Sequence, residues 1–258
     1  MNELTIKNIS KTFKLTRKQQ KTNKDDRKEV VACNDVSFKL NRGEIYGLLG
    51  PNGAGKITCL RIISSTIKPD NGTILYNEED IYKDISGYRK KLGFLTSELK
   101  LDEFFTPDYT FTFFGKLFGM SDEEISNRKK ELFEKFGVNQ YKDTKIHDLS
   151  TGMKQKTLLA VSLCHDPEII IFDEPTNGLD IIYSKEIEDF LIEEKKKGKT
   201  ILISTHIFSL VEKVCDRVGI LLNGKLVKEG NLKELTKEKN LEECFFDIYQ
   251  EENLWETY

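Results

Sequence analysis

Apolar and polar positions along this chain follow two periods, one suited to strands and one to helices. Leu4-Thr5-Ile6-Lys7-Asn8-Ile9 alternates as a half-buried strand does, with Phe13 just beyond it. Val36-Ser37-Phe38-Lys39-Leu40 resumes the alternation after residues 14–29, which are polar, of mixed charge and without period. That interval predicts an exposed loop; a basic regulatory arm is the alternative, disfavoured by the interspersed Asp25 and Asp26. The run at 168–172 is continuously apolar after its first residue, as a strand buried on both faces of a parallel sheet is, and 45–49 and 199–204 read as further buried strands. Shorter core strands are predicted at Thr73–Tyr76, after the Pro69-Asp70-Asn71-Gly72 turn, and at Leu92–Leu95. Val218–Leu222 and Lys225–Val227 flank Asn223-Gly224, a strong hairpin signal.

Helical texture fills the rest. A first helix is expected from about Lys56 to Ser65, and others over about 150–165 and 184–197. Thr106-Pro107 reads as an N-cap followed by proline at the first helical position, with Phe111, Phe114 and Phe118 on one face. Ser121 and Glu124 form a capping box opening a helix whose Ile125, Leu132, Phe133 and Phe136 are apolar, closed by Gly137. These aromatics predict the core of a helical insert; a groove for a partner is the sharper alternative. The charged tail after residue 230 is expected to be partly helical and solvated.

Bulk properties narrow the class. The 258 residues allow one α/β domain with an inserted subdomain, set at residues 1–230 with helical residues about 98–165, and a tail over 231–258. With 40 basic and 43 acidic residues the net charge is −3, so no global basic field points to nucleic acid. Cys33, Cys59, Cys164, Cys215 and Cys244 lack C-x-x-C spacing, which argues against zinc or a disulfide framework and suits a reducing cytoplasm; all five are expected as small buried side chains. No apolar run reaches the roughly 18–20 residues that span a bilayer, and no signal-peptide core opens the chain. A soluble chain is expected, with any membrane span supplied by another polypeptide.

The candidate chemistry starts at Gly50-Pro51-Asn52-Gly53-Ala54-Gly55-Lys56-Ile57-Thr58, between a buried strand and a helix. This is the phosphate-binding pattern G-x-x-x-x-G-K: glycines let the backbone aim N–H groups at one anion, and the helix dipole and Lys56 add positive charge. Where a serine or threonine normally offers Mg²⁺ a hydroxyl, Ile57 stands; Thr58 is one residue on, about 100° around the helix.

Four further motifs follow in order, and with them the chain resembles the ATP-binding subunit of ABC transporters over nearly its whole length. Leu149-Ser150-Thr151-Gly152-Met153-Lys154-Gln155 is similar to the signature L-S-G-G-Q, with Thr151 replacing its first glycine and Met153 its glutamine. Ile169–Glu174 matches the second nucleotide motif, Asn177-Gly178-Leu179-Asp180 the D-loop, and His206 the switch histidine; the wording is closest to the bacterial sodium-exporter type. The resemblance implies a P-loop NTPase fold: a mostly parallel core sheet, an N-terminal antiparallel β-subdomain and an inserted α-helical subdomain. It also implies ATP and Mg²⁺, with Gly53, Gly55 and Lys56 on the phosphates, Asp173 on the metal, Glu174 as general base and His206 orienting the attacking water.

In the family, Ser150 and Gly152 contact ATP held by the opposite subunit, and Asp180 is counted with the nucleotide site. Phe13 stands where the family stacks an aromatic on adenine, with core filler the equal alternative. His206 has a plain structural alternative as well, although its place after a buried strand favours function. After Thr96 the family usually has a metal-touching glutamine; this chain has Ser97 and Glu98, a loss shared by the sodium-exporter type. The implied partners are a multi-span permease and a second ATP-binding subunit, identical or not, on the cytoplasmic face of the membrane, with no nucleic acid. A nucleotide-gated regulatory subunit with little hydrolysis is the alternative. A soluble ATPase acting on DNA or ribosomes is disfavoured, because neither a second cassette nor a long inserted coiled coil is present.

Overall fold

A computed structural model of the chain describes residues 4–15, 28–96 and 99–255. In chain order, β1 (Leu4–Lys14), β2 (Glu29–Leu40) and β3 (Ile45–Leu49) precede α1 (Lys56–Ile63). Next come β4 (Asn71–Tyr76), β5 (Glu79–Asp80), α2 (Ile85–Arg89) and β6 (Leu92–Leu95). The helices α3 (Pro107–Leu117), α4 (Asp122–Lys135) and α5 (Thr151–Ser162) lead to β7 (Ile169–Asp173) and α6 (Ile181–Lys196). The chain continues through β8 (Thr200–Thr205), α7 (Phe208–Val214), β9 (Arg217–Leu222), β10 (Lys225–Asn231), α8 (Leu232–Leu235) and α9 (Leu241–Trp255).

Two sheets result, in the strand orders β2-β1-β4-β5 and β10-β9-β3-β8-β7-β6. The first is antiparallel. The second is parallel except for its edge strand β10. Burial on both faces explains the unbroken apolar runs: every residue of β3 and β8 is buried. Register aligns Leu49 with Thr205 and Ser204 with Asp173, so the carboxyl ends of β3, β8 and β7 lie side by side. A ligand-binding crevice in an open α/β sheet belongs at that edge.

Between the two sheets, Cys59, Leu60, Ile62 and Ile63 of α1 share one apolar cluster with Leu4, Ile6, Phe38 and Leu48. A second cluster joins the other face of the parallel sheet to the helical insert. There the capping box forms as the sequence predicts, Ser121 N–H donating to Glu124 Oε2 at 2.7 Å and Glu124 N–H to Ser121 Oγ at 3.2 Å. Such a cap is worth about 1 kcal/mol. Thr106 caps α3 by accepting from Tyr109 N at 3.2 Å.

Several expectations need correction. β1 runs on to Lys14, so Phe13 is inside a strand, opposite Val30, rather than beyond one. Register shifts at Ile6/Ile9, Ile9/Lys11 and Lys11/Thr12 break the alternation that marked the first half of β1. Most of the expected loop over 14–29 lies outside the described residues, as do Ser97 and Glu98. α6 begins at Ile181, because Asp180 caps it by accepting from Tyr183 N at 2.8 Å. Cys33, Cys59 and Cys164 are buried, whereas Cys215 and Cys244 are only partly so. The tail is not merely solvated: Leu241 and Phe245 of α9 are buried in a third cluster with Leu49, Val218 and Leu222.

Phe111 is core, edge-on to Phe133 at 5.2 Å, and Phe118 stacks on His165 at 3.7 Å. The aromatics of this insert left in solvent are others, namely Phe104, Phe105, Tyr109 and Phe113. His165 donates from Nε2 to Leu92 O at 3.1 Å, and its buried Nδ1 has no partner among the described residues. Burial pulls this imidazole down to about 4, so it is neutral in the folded chain. Between that value and the ordinary 6.5 the unfolded chain binds the extra proton, so stability falls as pH drops through this window. On going from pH 7.5 to pH 5, His165→Gln is expected to lose about 2 kcal/mol less unfolding free energy than the parent chain. Urea unfolding at the two pH values measures this; equal losses remove His165 as the cause.

Candidate active site

The phosphate loop leaves β3 at Leu49 and turns into α1. Two glycines are sterically required. Gly55 has φ +102°, and a Cβ there would sit 2.1 Å from Ala32 O; at Gly50 a Cβ would lie 2.3 Å from Leu221 O. The neighbouring strands therefore touch the loop backbone directly. The β9–β10 turn adds a clamp: Gly224 N–H donates to Ala54 O at 2.9 Å, and Asn34 N–H to Gly224 O at 2.8 Å.

Lys56 is buried to 6% exposure at the first position of α1. Its ammonium donates to Gly50 O at 2.6 Å and to Pro51 O at 3.3 Å, and lies 3.4 Å from Glu174 Oε1. A buried cation needs such partners, because stripping its hydration is costly. Glu174 follows β7 in a left-handed conformation with φ +50°, and its N–H is held by Ser204 O at 2.8 Å. A non-glycine residue in that region costs about 1–3 kcal/mol and persists where the surroundings over-determine it. Here they do. Glu174 Oε1 accepts from His206 Nδ1 at 2.9 Å, and Oε2 accepts from Thr205 Oγ1 at 3.2 Å. The carboxylate thus joins three loops, those after β3, β7 and β8, and fixes the proton of His206 on Nδ1.

The structure brings Gly50, Pro51, Lys56, Glu174 and His206 into one hydrogen-bonded group. Asp173, one residue earlier, accepts from Ser204 Oγ and lines a cleft of about 160 Å³ with Glu174 and Gln155. Asn52 and Gly53 are exposed on the loop, while Ala54 is buried under it. Ile57 and Thr58 are half-buried in the first turn of α1.

Phe13 is 40% exposed, with Lys11 Nζ 5.8 Å from its ring centre, so it is not core filler. It lies near the loop, since Ala32 of the paired strand contacts Gly55. Ser150 caps α5, accepting from Met153 N at 3.3 Å, and Gly152 has open space beside it. Among the described residues neither one bonds to the phosphate loop of its own chain. Asp180 likewise stays apart, occupied in capping α6.

Sequence reasoning missed the clamp at Gly224, the Thr205 hydroxyl on Glu174 and the aromatic wall of α9 beside the loop. Only the last left a signal: Leu241, Phe245 and Ile248 recur at helical spacing.

The family model described as "ABC transporter" matches residues 33–177, and these residues hold the loop, the α5 cap and the Asp173–Glu174 pair. The chain belongs to the ABC transporter family. Among its relatives, the ABC transporter ATP-binding protein NatA of Bacillus subtilis is 38% identical over 220 residues, 85% of this chain and 89% of NatA. The Nod factor export ATP-binding protein I of Burkholderia lata is 38% identical over 202 residues, covering 78% of this chain and 66% of that one. A solved ATP-binding subunit of an ABC transporter superposes with a TM-score of 0.82 at 27% identity, covering 95% of this chain and 99% of that one. This chain is accordingly an ABC ATPase subunit that binds ATP. Among its described residues no helix is long and apolar enough to cross a membrane.

Proposed function

We propose that the chain works as one half of an ATP sandwich that drives export through separate membrane-spanning subunits. The observation that supports this reading is the Lys56–Glu174–His206 group, in which one Glu174 oxygen lies 3.4 Å from the Lys56 ammonium and accepts from His206 Nδ1 at 2.9 Å. The loop amides and Lys56 bind the ATP phosphates. Glu174 takes the proton of the attacking water, and His206 holds that carboxylate in place. Asp173 offers a hard oxygen to Mg²⁺, which when bound neutralises charge developing on the phosphates. The donor set fits Mg²⁺ with one protein oxygen fewer than the family pattern, because Ile57 has none, and Mg²⁺ retains waters readily.

The exposed ends of α5 and α6, with Ser150, Gly152 and Asp180, are read as the surface that closes on a second subunit's ATP. Phe13 is read as a stacking platform for adenine. The apolar groove of about 370 Å³ beside Phe105, Tyr109 and Phe113 is read as the seat of the membrane partner, on the cytoplasmic face. By the resemblance of its signature and D-loop wording to the sodium-exporter type, sodium is the proposed cargo. Testing the whole reading takes two measurements: ATP-dependent dimerisation and ATPase activity of the purified chain, and co-purification with a multi-span protein. A chain that stays monomeric with ATP and co-purifies with no such protein ends it.

One observation favours the second reading, a nucleotide-gated subunit with little turnover of its own. Ile57 removes a metal ligand while leaving the phosphate contacts intact. Restoring the hydroxyl with Ile57→Thr is expected to raise Mg²⁺-dependent turnover at saturating ATP about tenfold, equivalent to roughly 1.4 kcal/mol of barrier. No gain means that isoleucine is tolerated and the slow-turnover reading is wrong.

A further inference from the structure

Two exposed apolar features are left unexplained by the single-chain site. Ile181 and Ile182 open α6 directly after the Asp180 cap and are 89% and 75% exposed. Adjacent branched side chains standing in water contribute nothing to this chain's own core. The other feature is a hollow of about 430 Å³ on the loop's flank, where Pro51, Asn52 and His206 meet Phe208, Phe246 and Tyr249. Its outer wall is the aromatic face of α9, and Phe246 and Tyr249 remain about half exposed there.

This inference rests on the sandwich proposed above, in which the Ser150 end of one copy meets the phosphate loop of another. Lys156 of α5 pairs with Glu186 of α6 at 2.7 Å and sits 4.7 Å above the Tyr183 ring, while Gln155 shares a cleft wall with Asn177 and Leu179. At about 1.5 Å per residue, Ser150 and Ile181 are each within about two turns of that contact. The Ser150 end and the Ile181–Ile182 end are thus carried by two helices in direct contact, each a short way along its helix from that contact. When Ser150 closes on the phosphate loop of a second copy, the isoleucines arrive at that loop's rim, where Pro51 and Asn52 border the aromatic hollow.

We propose that Ile181 and Ile182 of each copy seat in the aromatic hollow of a second copy of this chain. The contact is isologous, so closure makes it twice, and it adds apolar burial to a pairing otherwise held by nucleotide. The tail helix α9 thereby becomes part of the dimer contact, and its aromatics select a partner of the same kind.

Disulfide trapping tests this in the full-length chain carrying Glu174→Gln to slow hydrolysis, with Cys244→Ser to remove the neighbouring thiol. Ile182→Cys combined with Phe246→Cys is expected to give a covalent dimer under copper phenanthroline with ATP and little without it. A companion pair, Ser150→Cys with Asn52→Cys, reports the sandwich alone. Trapping of the companion pair without the 182–246 bridge overturns the aromatic seat and leaves the sandwich standing; failure of both overturns both. Bridging to the same extent without ATP also overturns the proposal. In a separate readout, Ile181→Asp with Ile182→Asp raises the apparent dissociation constant of the ATP-bound dimer at least about tenfold, with fluorescent ATP analogue still binding the monomer as before. An unchanged dimer constant sinks the proposal.

Discussion

Glu174→Gln is expected to lower ATP turnover by about two to three orders of magnitude, the usual worth of a positioned general base. Glutamine has the same length; its amide oxygen still accepts from His206 Nδ1, and its amide nitrogen donates to Thr205 Oγ1 where the carboxylate accepted, so the three loops stay joined. What it lacks is the negative charge that takes a proton and faces Lys56 at 3.4 Å. ATP affinity is therefore expected to hold within about threefold, since the loop amides and the lysine are untouched. Single-turnover hydrolysis together with equilibrium binding separates the two effects. Turnover retained within threefold would falsify the assignment of Glu174 as base.

Lys56→Met should weaken ATP binding by about a hundredfold. The side chain is buried, and methionine fills much of its aliphatic socket, so the change is chiefly in charge. A charge-assisted contact to phosphate is worth about 1.5–3 kcal/mol, which is about 10- to 150-fold in affinity. The substitution also leaves the Glu174 carboxylate without its nearest cation, and some loss of thermal stability accompanies it. Calorimetric titration with a non-hydrolysable analogue reads the affinity. A drop of less than about threefold assigns phosphate binding to the backbone amides alone.

Much of the site was legible because its chemistry is local in sequence. The loop motif, the Asp173–Glu174 pair at the end of an apolar run and the Asn223-Gly224 turn each fit within a few residues, and each is where the pattern put it. Phe13 was misplaced for the opposite reason: bulges carry β1 past the point where alternation stops. The left-handed backbone of Glu174 left no local trace, because Ser204, Thr205 and His206 impose it from thirty or more residues away. Asp180 was absorbed by its motif, and its work as a helix cap went unread. The aromatic face of α9 was discounted because charges surround it.

The clamp between Ala54 and Gly224 orders events in time. Gly224 comes 170 residues after Ala54, so a growing chain displays the complete glycine-and-lysine motif long before the strand turn that braces it has been made. Until then neither Gly224 nor the Leu221 carbonyl is there to hold the bend, and the motif is a sequence without its shape. Bracing of the nucleotide loop thus waits on contacts from β9 and the turn that follows it, and the motif alone does not carry them.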